Sequence, residues 1–154
     1  MNPVFTRATM PDEAQLVELM REFYAFDHIA FDERAARVAL REILGDARFG
    51  VVHLIREGAA EDGAAAAVGY LVVTFGFSLE FHGRDAFVDE LYLREDFRGR
   101  GIGKACIEFA GEVCRAEGIA ALHLEVERGN ERALGLYRRA GFRDHDRYLL
   151  TRWL

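Results

Sequence analysis

Between a strand pattern and an amphipathic helix pattern lies Arg98-Gly99-Arg100-Gly101-Ile102-Gly103-Lys104, which limits the fold more than any other feature of the chain. Three alternate glycines permit a tight turn whose backbone N–H groups can approach a ligand closely. A helix starting there adds amides without carbonyl partners and a partial positive charge. Together these make a seat for a phosphate or pyrophosphate. The plainer reading is a turn whose glycines serve sterics alone, and the arginines around it weigh against that. A GxxxxGK[ST] loop would need glycine in place of Arg98 and a hydroxyl in place of Ala105. A dinucleotide GxGxxG would need its third glycine one place later and a strand running directly into the loop, whereas the strand pattern ends near Leu93. Glu125 lies near the distance expected of a ribose-binding acid and keeps that second reading open.

The rest of the chain reads as alternating α and β segments. Pro3 to Ala8 is strand-like. Thr9-Met10-Pro11-Asp12-Glu13 has the hydroxyl, early proline and acids of a helix start, followed by Leu16, Val17, Met20, Phe23 and Tyr24 at helical spacing. Asp32 opens a second helix that ends near Gly45. The period then changes to strands at 49–55, 67–75 and 86–93, with a small, glycine-punctuated hairpin loop at 57–65. A helix from about Gly103 to Glu117, a strand at 120–126, a helix capped by Asn130 and closing at Gly141, and a final strand from Arg147 to Leu154 complete the chain. The predicted order is βααβββαβαβ: an α/β domain with a mixed, mostly antiparallel central sheet flanked by helices.

Composition narrows the function classes. The 154 residues, 51% hydrophobic and 30% charged, suit one domain over 1–154 with a real core. No apolar run approaches the roughly 18 residues of a membrane helix, so no membrane partner is expected. A net charge of −6 argues against nucleic acid, which needs a basic footprint. Cys106 and Cys114 lack the spacing of a zinc site or disulfide framework, and the histidines lack that of metal ligands. The expected setting is a reducing one, the cytoplasm, and no metal is expected.

Loop, flanking strand and last helix together resemble the GNAT superfamily of acetyl-CoA-dependent N-acetyltransferases. The family's Gln/Arg-x-x-Gly-x-Gly/Ala loop is matched by Arg98 to Gly103, its preceding strand by Val88-Asp89-Glu90-Leu91-Tyr92-Leu93, and its later elements by Asn130 and Tyr137-Arg138-Arg139-Ala140-Gly141-Phe142. The early half, with Phe23-Tyr24 and a long loop between strands, looks most like the diamine and thialysine acetyltransferases. The resemblance implies acetyl transfer from acetyl-CoA to a primary amine of a small molecule or peptide, by direct attack in a ternary complex. A catalytically silent CoA-binding module and a dinucleotide-dependent oxidoreductase are the alternatives.

By the same resemblance, Arg98, Gly99, Arg100, Gly101, Ile102, Gly103 and Lys104 hold the cofactor phosphates, and the pantetheine arm pairs with Leu91, Tyr92 and Leu93. Asn130 binds that arm, and Tyr137 stands near the sulfur as general acid. Asn130 and Tyr137 are seven residues apart, about 700° and roughly 10 Å along a helix, so they face the same way. A phenol with a pKa near 10 is protonated at neutral pH and can donate to a thiolate. Read without the loop, Asn130 is an N-cap and Tyr137 a core aromatic. Glu90 and Asp89 sit inside an otherwise apolar strand, where burying an acid is costly unless it is paired or used. Either could accept the amine's proton, with Glu90 favoured. Glu80, within a phenylalanine-rich stretch at 75–81, is a candidate contact for the acceptor. The apolar run Tyr148 to Leu154 leaves an edge for a second copy, so a homodimer is expected.

Overall fold

A central strand covered on both faces sets the architecture. In the computed structural model, which describes residues 2–58 and 66–154, the elements run β1 (Pro3–Arg7), α1 (Glu13–Phe26), α2 (Glu33–Gly45), β2 (Gly50–Glu57), β3 (Ala67–Ser78), β4 (Gly83–Leu93), α3 (Ile102–Ala116), β5 (Ala121–Leu124) and α4 (Glu131–Arg139). The strands lie side by side in chain order. The first three junctions are antiparallel and β4–β5 is parallel. Only that parallel junction needs a crossover, and α3 supplies it. The loop expected at 57–65 lies almost wholly outside the described residues.

On β3, Tyr70 and Val72 face α1 and α2 with Leu16, Leu19 and Leu54, while Leu71 and Val73 face α3 with Ile55, Ile102, Cys106 and Ala110. Burial on both faces explains why β3 reads as an unbroken apolar run rather than an alternation. Each fully buried leucine here contributes roughly 1.5–3 kcal/mol. The α2 helix begins where Asp32 accepts the Ala35 N–H at 3.1 Å. Glu22 of α1 takes the Arg94 guanidinium at 2.8 and 2.9 Å and the Tyr92 hydroxyl at 3.2 Å, fastening α1 to the end of β4.

One irregularity in β4 decides where the chemistry can sit. Val72 pairs with Glu90 and Val73 with Val88, so Asp89 is an extra residue, a β-bulge. Val88 and Leu91, three apart, therefore share the α3 face, and Glu90 is delivered to the α1 face. Pairing between β4 and β5 stops just there, at Val88 and Leu124. Beyond it β4 runs on to Leu93 with one edge open.

The expected final strand does not form. Residues 147–154 carry no ladder, and Tyr148, Leu149, Leu150, Trp153 and Leu154 are exposed. The apolar composition that suggests a strand is present, but no neighbouring strand supplies hydrogen-bond partners. Instead Arg147 makes a two-pronged ion pair with Glu80 at the β3–β4 turn, at 2.7 and 2.9 Å. Glu80 is thereby held below the usual carboxylate range, in the turn that leads into β4 at Gly83, from which Glu90 lies a further seven residues, about 23 Å of strand, along. It does not join the acidic site.

Candidate active site

The fork between β4 and β5 brings together a carboxylate cluster, an open strand edge and the glycine loop. Glu90 lies on the α1 side, where Tyr24 donates to its Oε1 at 2.6 Å and Tyr70 to its Oε2 at 2.7 Å. Phe23, Phe31 and Tyr92 close around the two phenols, with ring centroids 5.4–6.4 Å apart. Burial pushes the Glu90 carboxyl above its ordinary range, Asp89 adds to that, and the phenolic hydrogen bonds oppose it. Burial and the Glu90 charge raise both tyrosines, so they stay protonated donors. Each Glu90 oxygen still has a lone pair for a further donor.

Asp89 stands at the bulge itself and reaches solvent. Enough protein surrounds it to lift its carboxyl as well, by desolvation. It lines a cavity of about 90 Å³ with Phe87, Val88 and Glu125, the first residues around the split between the strands. A broader shallow depression on α2, about 380 Å³, is lined by Asp32, Arg34, Ala35, Val38, Ala39 and Glu42. It holds no buried acid or perturbed nucleophile.

The open edge has a definite polarity. Arg94 N–H bonds to Val68 O at 2.9 Å across the β3–β4 junction. In an antiparallel ladder alternate residues share a direction, so Tyr92 turns its backbone groups to β3 and Leu91 and Leu93 turn theirs to the fork. The Tyr92 side chain is buried on the α1 face. The Leu93 carbonyl is taken by Arg98 Nε at 2.7 Å.

In the loop, Gly99 and Gly101 are both left-handed, with φ of 81° and 84°. Gly101 is the N-cap of α3 and offers no side chain, and the first backbone bond is Ala105 N–H to Gly101 O at 3.1 Å. The amides of Ile102, Gly103 and Lys104 thus precede the first intrahelical bond and are available to an anion. The loop's cations are otherwise engaged. The Arg98 guanidinium lies over Phe26 at 4.0 Å, Arg100 pairs with Glu57 at 3.0 Å, and Lys104 pairs with Glu108 at 3.5 Å.

On α4, Asn130 Oδ1 accepts the Ala133 N–H at 3.1 Å and caps the helix. Tyr137 is half-buried against Phe142 and the α3 cluster, and burial raises its phenol. Cys106, buried on α3 with its thiol pushed up to about 12, is core rather than nucleophile. Among the described residues no group of His, Cys, Asp and Glu could hold a metal.

Sequence reasoning missed Tyr24 and Tyr70 as the holders of Glu90. A phenol in the middle of a doubly buried strand was the available signal for Tyr70; Tyr24 gave none beyond its place on a core-facing stripe.

Comparison with known proteins gives a consistent picture. A sequence model of the acetyltransferase (GNAT) family matches residues 14–142. The chain is 29% identical over 136 residues to thialysine N-epsilon-acetyltransferase of Bos taurus, covering 86% of this chain and 79% of that one. It is 34% identical over 84 residues to the L-methionine sulfoximine/L-methionine sulfone acetyltransferase of Pseudomonas aeruginosa, covering 54% and 48%. The crystal structure of an integron cassette protein from the mobile metagenome of Cole Harbour Salt Marsh superposes with a TM-score of 0.82 at 36% identity, over 97% of this chain and 90% of that one.

Proposed function

This chain belongs to the acetyltransferase (GNAT) family, and on that premise we propose that it moves an acetyl group from acetyl-CoA to a primary amine of a small molecule or peptide, by direct attack in a ternary complex. The observation that carries this reading is the fork at Asp89, which opens a strand edge between the glycine loop and the Glu90 cluster. Relatives named for thialysine and for methionine sulfoximine support a small amine as acceptor. One N-acetyltransferase domain over 1–154 accounts for the chain.

The donor set fits a CoA diphosphate: two left-handed glycines and three amides ahead of the first helical bond form a cradle that side chains would fill. Acetyl-CoA supplies an activated acyl group. The open-edge N–H of Leu91 polarises the thioester carbonyl as charge builds on its oxygen. Glu90 takes the ammonium proton, directly or through a water, and Asp89 attracts the cation at the mouth. As the amine's C–N bond forms and the C–S bond breaks, Tyr137 protonates the departing sulfur, and the proton that the new amide nitrogen sheds restores the phenol. In this reading the Asn130 side-chain NH₂, which capping leaves unused, binds the pantetheine arm.

The direct test is a thermal melt with and without acetyl-CoA, with NADH as control. Ligand at 100 times Kd adds about 2.7 kcal/mol, or about 5–11 °C for a domain of this size. A shift with acetyl-CoA, followed by CoA release with an amine panel, supports the reading. No shift, or a shift with NADH alone, overturns it, and binding without turnover across the panel favours the silent module.

A homodimer in a reducing cytoplasm is the proposed setting. The free, buried cysteines agree with reducing conditions. The exposed apolar run Tyr148 to Leu154 and, separately, a β5 edge that no described strand covers support a second copy. Sedimentation at micromolar concentration should give twice the 17.4 kDa chain mass; a monomer would remove the dimer.

A further inference from the structure

The guanidinium that rests on the glycine loop comes from α4. A Cβ on Gly99 would stand 3.1 Å from Nη2 of Arg132. Arg98, Arg100 and Lys104 are engaged by a backbone carbonyl, aromatic rings and carboxylates. Among the described residues no hydrogen bond, ion pair or ring contact engages Arg132, and it is exposed. A strong cation with five donors therefore lies against a loop whose amides also point to an anion, with no carboxylate to neutralise it.

The helix that carries it packs on the core through Tyr137, beyond its middle. No residue of α4 is fully buried, yet α4 holds both Asn130 and Tyr137. It meets the loop through Arg132 in its first turn, at Gly99, and through Leu136 past its middle, 3.6 Å from where a Cβ on Gly103 would stand. A phosphate on the loop would have the first α3 amides as donors, and the Arg132 guanidinium stands against Gly99 of the same loop.

We propose that Arg132 is a phosphate ligand for the nucleotide end of the cosubstrate and that, by gripping it, Arg132 latches α4 onto the glycine loop. The inference rests on the acetyl-CoA reading above. It assigns the cationic contact to a residue some thirty positions after the loop rather than to the loop's own arginines. It also ties phosphate binding to the placement of Tyr137, one element carrying both.

The test uses free CoA, which binds without turnover, and 3′-dephospho-CoA. Dissociation constants are measured by calorimetry for the wild type, Arg132→Gln, Arg132→Lys and, as a same-helix charge control, Arg139→Gln. Losing a charged hydrogen bond should weaken CoA binding by about ten- to a hundredfold in Arg132→Gln. Lysine, a point charge without the fork, should restore part of it. If Arg132 grips the ribose phosphate, 3′-dephospho-CoA binds the wild type and Arg132→Gln alike; if it grips the diphosphate, both ligands weaken together. Hydrogen exchange should show α4 amides protected by CoA in the wild type and not in Arg132→Gln. A wild type that binds CoA, with Arg132→Gln within twofold of it and α4 equally protected, overturns the latch alone. A wild type that does not bind CoA overturns the acetyl-CoA reading and the latch with it. Since Arg132 is exposed, the variant's ligand-free melting temperature should match the wild type, which separates lost binding from lost folding.

Discussion

Glu90→Gln is expected to lower kcat/KM for the acceptor amine by about 10²–10⁴, the usual range for removal of a general base. The substitution keeps the shape of the side chain, and the Tyr24 and Tyr70 hydroxyls can each rotate to donate or accept. Lost activity then reports lost basicity rather than a collapsed site. The sign of the pH dependence follows from the shift. Burial raises the Glu90 pKa, so the carboxylate that can accept a proton disappears as pH falls through that raised value, and the acid limb of kcat/KM lies above the ordinary glutamate range. Glu90→Gln should flatten that limb. A folded-state pKa raised above the unfolded value also means that the native state gains protons first. Stability contributed by Glu90 therefore rises as pH is lowered through the window between the two values, and the variant should lose that part of the dependence. Asp89 is shifted in the same direction by desolvation, so some dependence persists in Glu90→Gln and should fall further in the Asp89→Asn, Glu90→Gln pair. If Glu90→Gln turns over within threefold of the wild type while Asp89→Asn does not, the base is Asp89.

The elements that bear the site differ in how openly the sequence announces them, and the difference is physical. The loop is legible because glycine at alternate positions between a strand and an amphipathic helix has few other uses, and Gly99 and Gly101 do adopt left-handed geometry. The last helix is legible from Asn130, whose side chain caps it. What Arg98 does is not legible. Its neighbours in the chain suggest a phosphate ligand, but the turn carries its side chain back to the Leu93 carbonyl and onto Phe26, 72 residues away in sequence. The company of Glu90 is hidden for a similar reason. It depends on the register of β3 against β4, which a single extra residue at Asp89 changes, and on α1 crossing that face of the sheet. The run from Arg147 to Leu154 shows the converse: a strand-like composition is a statement about side chains, and a strand also requires a partner for its backbone.

Tyr137→Phe should lower kcat by about 10²–10³ while leaving the KM for acetyl-CoA within about threefold, because the hydroxyl is asked to act only when the thiolate departs. The ring should stay where it is. Its contacts are with Phe142, edge-on at 6.0 Å, and with the α3 cluster around Cys106, and phenylalanine preserves them. No described residue hydrogen-bonds the hydroxyl, so removing it breaks no internal bond, and the ligand-free melting temperature should stay near that of the wild type. Burial raises the phenol above its ordinary value of 10.0, which keeps the proton on Tyr137 throughout the neutral range. A proton donor is active while protonated and fails as pH rises through its pKa. The wild-type rate should therefore show no descending limb from this group below about pH 10, and Tyr137→Phe should scale the profile down without changing its shape there. That pattern separates Tyr137 from Glu90, whose loss removes a limb on the acid side. A kcat within threefold of the wild type, with melting unchanged, would assign protonation of the thiolate to water and leave Tyr137 as a packing residue of α4.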